Sequence, residues 1–143
     1  MGLFNWFSKP QRFQTRDDRI WLNRAGRLQG IVHDIQQRRT DCERLLIVAH
    51  FPETLTAVAE ALRDADIPCR LQQQTWEARD VIKFAQQDQR EPLLTYARHL
   101  PEGSDEAPAN AWDEFAPPIA VIVAERYPLP AGDEHIEQFV QCL

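Results

Sequence analysis

Three apolar runs each lead into residues that can do chemistry. Leu45-Leu46-Ile47-Val48-Ala49 runs into His50 and Phe51. Pro92-Leu93-Leu94-Thr95-Tyr96 leads, through Ala97, to Arg98 and His99. Ile119-Ala120-Val121-Ile122-Val123-Ala124 ends on Glu125 and Arg126. If the three runs lie side by side, His50, Arg98, His99, Glu125 and Arg126 gather at one edge and form the candidate ligand-binding set. Two imidazoles and a carboxylate in one place could ligate a metal. They could also move a proton as general acid and base. A third reading is a hydrogen-bonded polar cluster that serves only to hold the strand ends.

Other chemistries find little support. The chain has no Gly-x-x-x-x-Gly-Lys-Ser/Thr phosphate loop and no Gly-x-Gly-x-x-Gly fingerprint. With five glycines in the whole chain, little backbone is free to cradle a phosphate. Ser8 and Ser104 are the only serines, and neither sits in a Gly-x-Ser-x-Gly elbow. Cys42, Cys69 and Cys142 are widely spaced and odd in number, against a disulfide framework or a cysteine zinc site and in keeping with a reducing cytoplasm. His33 and His135 lack any close ligand spacing to the other histidines. No cofactor is expected.

The elements that must position these residues follow from the apolar spacing. Trp21, Ala25, Leu28, Val32 and Ile35 recur at intervals of four and three, which predicts a helix over Asp17 to Arg39 with Thr15 and Asp18 as a capping box. The first apolar run is the unbroken kind expected of a strand buried on both faces. Pro52 then opens a helix carrying Leu55, Val58, Ala59 and Leu62, which Asp66 and Pro68 end. Cys69-Arg70-Leu71 is a weak second strand. Thr75 caps a helix with Ala78, Val81, Ile82 and Ala85 inward. Residues 101–118 hold four of the ten prolines and read as a loop. After the last strand, Gly132 and Asp133 open a helix with Ile136, Phe139, Val140 and Leu143 on one face. Strands near 45–50, 68–72, 92–96 and 119–124, alternating with helices, predict a parallel sheet with right-handed crossovers. Sites in such sheets lie beyond the carboxyl ends of the strands.

The 143 residues suffice for one domain, and 43% hydrophobic with 27% charged residues is ordinary for a globular chain. No apolar run approaches the ~20 residues of a membrane span. A net charge of −6 disfavours nucleic acid as a partner. The charge is uneven. Residues 1–44 hold nine basic and five acidic side chains, a balance of +4, whereas residues 45–143 hold seven and seventeen, a balance of −10. Leu3, Phe4, Trp6 and Phe7 with Lys9 and Arg12 behind them are too short for a secretory signal, and Trp6 breaks the myristoylation pattern. Such an aromatic foot with basic flanks suits peripheral membrane contact, and folding back onto the domain or disorder are its alternatives.

The order of elements resembles the second nucleotide-binding domain of the SecA preprotein translocase ATPase, the RecA-like, C-terminal half of a superfamily 2 helicase motor. The residues that carry the resemblance are Leu46-Ile47-Val48-Ala49-His50, the helix from Pro52 to Leu62, Ile67-Pro68-Cys69-Arg70-Leu71-Gln72, Glu77-Ala78-Arg79-Asp80-Val81-Ile82, and Val121-Ile122-Val123-Ala124-Glu125-Arg126. It covers about Arg19 to Leu143. It implies a P-loop NTPase-type fold of bacterial origin: an α/β, RecA-like, three-layer αβα domain with a mostly parallel sheet of about four strands and an N-terminal helix. On this reading residues 1–14 are a flexible aromatic and basic segment and 15–143 one domain. The chain departs from the family where nucleotide chemistry is done. Thr95 to Gly103 lack the family's Gly-Arg-Gly-Thr-Asp core, and Val140 to Leu143 lack its arginine-rich segment. Without a finger arginine, phosphoryl transfer loses several orders of magnitude in rate. The resemblance therefore implies a non-catalytic module in the cytoplasm or at a membrane. Such a module binds a protein partner or regulates a larger system, with weak or no nucleotide binding at Arg98 and Arg126. The alternative is a small-molecule-binding protein or enzyme that uses His50, His99 and Glu125.

Overall fold

The computed structural model describes residues 19–41, 44–86, 91–101 and 119–142. The expectations for residues 1–18, most of the 101–118 loop, Cys42 and Leu143 lie outside the described residues.

Among the described residues the order is α1 (Arg24–Thr40), β1 (Arg44–Ala49), α2 (Pro52–Asp64), β2 (Arg70–Gln72), α3 (Ala78–Gln86), β3 (Leu93–Tyr96), a 3-10 turn at Ala97–His99, β4 (Ile119–Val123) and α4 (Pro130–Cys142). The four strands pair in the order β2-β3-β1-β4, every pair parallel. The fold is α/β with three layers, as the alternation of elements predicts. Its order differs from both common doubly wound arrangements, 3-2-1-4 and 2-1-3-4.

β1 is buried along its whole length, which explains its unbroken apolar run. Its alternate side chains feed two cores. Leu45, Ile47 and Ala49 pack with Ile31, Ile35, Leu55, Val58 and Leu62 of α1 and α2. Leu46 and Val48 pack on the other face with Trp76, Val81, Phe84, Ile136 and Phe139. Arg44, at the start of the strand, is buried, and its guanidinium donates to the Phe84 carbonyl over 3.1 Å.

The first helix begins at Arg24, seven residues later than the spacing predicts. Asn23 is its N-cap, and the side-chain oxygen accepts from the Gly26 N–H over 2.8 Å. Trp21 continues the helical spacing but stands outside the helix. Residues 19–22 form a strap instead, with the Trp21 ring laid on α1. A Cβ on Gly30 would come within 2.1 Å of that ring, so glycine there makes its seat, and Gly26 borders it at an ordinary contact distance of 3.9 Å. The buried face of α1 is turned accordingly. Gly30, Ile31 and Ile35 are buried, Leu28 and Val32 half-buried, and Ala25 exposed.

α2 starts at Pro52, as expected, and Asp66 closes it in the left-handed region at φ 54°. α3 has no cap from Thr75; the Asp80 carboxylate accepts from the Glu77 N–H over 2.9 Å. Val81 and Phe84 point inward while Ala78 is exposed. The cause is Trp76, which stands beneath the helix. Its indole N–H donates to the Thr95 hydroxyl over 3.2 Å, and its ring meets Phe84 and Phe139 edge-on at 5.6 and 5.9 Å. Among the described residues no helix is long and apolar enough to cross a membrane.

Candidate functional site

The helix that follows β1, α2, packs on one face of the sheet, and the helix that follows β4, α4, packs on the other. Adjacent parallel strands whose connections leave to opposite faces open a crevice at their carboxyl ends, the usual ligand position in open α/β sheets. His50, at the end of β1, and Glu125, just past the end of β4, stand on the two sides of this crevice.

Glu125 is half-buried, and its carboxylate is turned against the start of α2. One oxygen accepts from the backbone N–H of His50 over 2.9 Å and of Phe51 over 3.0 Å. The other accepts from the hydroxyl of buried Thr54. Helix starts carry orphan N–H groups and the positive end of the helix dipole. Pro52, the first helical residue, brings no N–H of its own. Glu125 therefore supplies, from another strand, the anion that α2 would otherwise take from a ligand or from water.

His50 lies beside this carboxylate with its ring turned to α4. Its side chain is 5% exposed, and its Nε2 lies 3.0 Å from the Asp133 carboxylate. The same Asp133 oxygen accepts the Tyr127 N–H over 3.1 Å. The Tyr127 ring packs 5.0 Å from His50 and stacks on Phe51 at 5.9 Å and 18°. A Cβ on Gly132 would fall 2.4 Å from the Tyr127 ring, so glycine is what admits the ring there. The mouth of the crevice is thus filled by the chain's own aromatic and ionic side chains.

Arg98 and His99 gather around a different residue. The Arg98 guanidinium lies 4.9 Å from the Tyr96 ring centre, and the His99 ring meets the same ring edge-on at 5.2 Å. The His99 carbonyl accepts the Trp76 N–H over 2.8 Å, which ties this corner to the core beneath α3. His99 Nδ1 is buried without a hydrogen-bond partner. Next to it, His135 Nε2 lies 3.1 Å from the Leu100 carbonyl. Arg126 is exposed beyond Glu125. Of the five candidate residues, His50 and Glu125 share one bonded group at the β1–β4 crevice, and Arg98 and His99 share another at the end of β3. Among the described residues no three His, Cys, Asp or Glu side chains are placed to hold a metal ion.

Chemically, the β1–β4 group is occupied. The Glu125 carboxylate is already engaged by the His50 N–H, the Phe51 N–H and the Thr54 hydroxyl. The Thr54 hydroxyl donates to that carboxylate and is not presented outward as a nucleophile. Burial, and secondarily the Glu91 carboxylate, push the Cys69 thiol above its ordinary value, which suppresses the reactive thiolate. Thr54, Tyr127, Gly132 and Asp133 are the members that spacing did not assign to the site. Thr54 carries a signal, as a polar residue on the buried stripe of a helix. Asp133 carries a weaker one, as an acid in a first turn. No protein-family model matches the chain, and no curated protein and no solved structure matches it.

Proposed function

We propose that the chain is a non-catalytic module, similar to a SecA or helicase C-terminal domain, that works by contact with a protein partner or by regulating a larger system. One observation carries the reading. The Glu125 carboxylate occupies the place beside the first turn of α2 that a phosphate takes in nucleotide-binding α/β folds. An incoming phosphate would meet a like charge there and would find the His50 and Phe51 N–H groups already bonded. Support also comes from the crevice mouth, where His50, Phe51, Tyr127 and Asp133 satisfy one another. The reading as a small-molecule or enzymatic site needs His50, His99 and Glu125 to face one opening. In the fold, His50 and Glu125 bond to α4 and α2, while His99 packs on Tyr96.

The test is purified protein with ATP and magnesium, followed by phosphate release and by melting temperature. The expected result is no turnover and no thermal shift. Magnesium-dependent turnover that a point substitution in this chain abolishes would overturn the reading.

A further inference from the structure

Residues 19–22 lie on the outer flank of α1 in an arrangement that the crevice does not use. Trp21 is turned inward onto the seat at Gly30. Its two neighbours are turned outward: Ile20 is 94% exposed and Leu22 102%. The strap is fastened at both ends. The Arg19 guanidinium reaches Asp34, midway along α1, over 2.7 Å, and Asn23 caps the helix. Two large apolar side chains held wholly in solvent by a pinned indole are not the scattered exposure of an ordinary surface.

The charge around them is basic. Residues 19–41 carry five arginines and two aspartates, and one of those aspartates is paired with Arg19. On the opposite face of the sheet α4 carries Asp133, Glu134 and Glu137 and no Lys or Arg. The basic apolar flank is thus that of α1 itself, and the acidic helix α4 lies on the other face of the sheet.

We infer that the α1 flank, with the strap Arg19–Leu22 as its anchor, docks on an anionic lipid surface. Ile20 and Leu22 enter the interface while the arginines meet the headgroups, and acidic α4 is held away from the membrane. Apolar insertion combined with basic side chains is the recipe for reversible interfacial binding, and neither suffices alone. This inference stands apart from the reading of the crevice.

The experiment is co-sedimentation of the full chain with vesicles of phosphatidylcholine alone and of phosphatidylcholine with about 30% phosphatidylserine, a composition in the anionic regime of a cytoplasmic leaflet. The wild type should bind the anionic vesicles and lose them in high salt. The double variant Ile20→Glu, Leu22→Glu should bind roughly tenfold or more weakly at an unchanged melting temperature, because both side chains are already in solvent. Leu71→Glu, the same change at an exposed leucine on β2, should bind like the wild type. Wild type that stays in the supernatant overturns the inference, as does a double variant that binds undiminished. A lipid-free dimer that the double variant dissociates would assign the strap to a second copy and overturn it too. None of these results alters the ATP test of the crevice.

Discussion

Glu125 is the residue on which the carboxyl edge turns. It is a strand-end carboxylate that three donors from α2 and its approach converge on. Replacing it with alanine leaves two backbone N–H groups and a buried hydroxyl without their acceptor. Glu125→Ala should cost on the order of 1–3 kcal/mol in denaturant unfolding. Glu125→Gln, which keeps one acceptor oxygen, should cost less. A neutral Glu125→Ala would mean that water serves the donors as well and that the carboxylate is free for another role. Cys69 gives a pH test with a defined sign. Its thiol is raised in the fold above the ordinary value of 9.0, so the unfolded chain loses that proton first as pH climbs. Its contribution to stability is intact below the ordinary value and is lost as pH rises through the folded one. Melting followed from about pH 8 to about pH 11 should show an alkaline fall that is shallower in Cys69→Ala. Alkylation mapped peptide by peptide should find Cys69 slow at neutral pH.

Elements differ in how plainly the sequence announces them. β1 and β3 were legible because burial on both faces demands unbroken apolar runs, and β4 keeps such a run although it is a half-buried edge strand; 45–50, 92–96 and 119–124 fall within a residue or two of what forms. The start of α1 was not legible. Trp21 falls on the helical period, yet its ring packs on Gly30 from outside, and no period distinguishes a side chain in a helix from one laid along it. The inward face of α3 was legible in part: Val81 is buried as the spacing predicts, but Ala78 is exposed and Phe84 is buried, since Trp76 precedes the helix and fixes which side of it is covered. At the site, the edge residues could be read from the strand ends, but their grouping could not. Whether His50 meets Glu125 or His99 depends on the strand order and on where α4 returns. The start of α4 offers a direct check. Gly132→Ala sets a methyl group against the Tyr127 ring and its Cβ, and should cost about 1–3 kcal/mol as overpacking. The same change should release Tyr127 from Phe51, seen as altered near-ultraviolet circular dichroism. An unchanged melt and spectrum would show that the contact is readily relieved.

At the scale of the molecule, a four-stranded parallel sheet carries helices on both faces and opens its crevice between β1 and β4. In ligand-binding folds of this kind the crevice is left to the ligand. Here a carboxylate from β4 seals the start of α2, and an aromatic and ionic group joins β1 to α4 above it. On the proposed reading the carboxyl edge is a structural joint, and contact with other surfaces falls to the outside of the molecule. The amide groups of His50 and Phe51 report on this most directly, because any phosphate seated at α2 must take them from Glu125. Inorganic phosphate and magnesium-ATP should be titrated against isotope-labelled protein while those two amide resonances are followed. With Glu125 in place both should stay where they are across the titration. A saturable shift of the two resonances in the wild type would contradict the account.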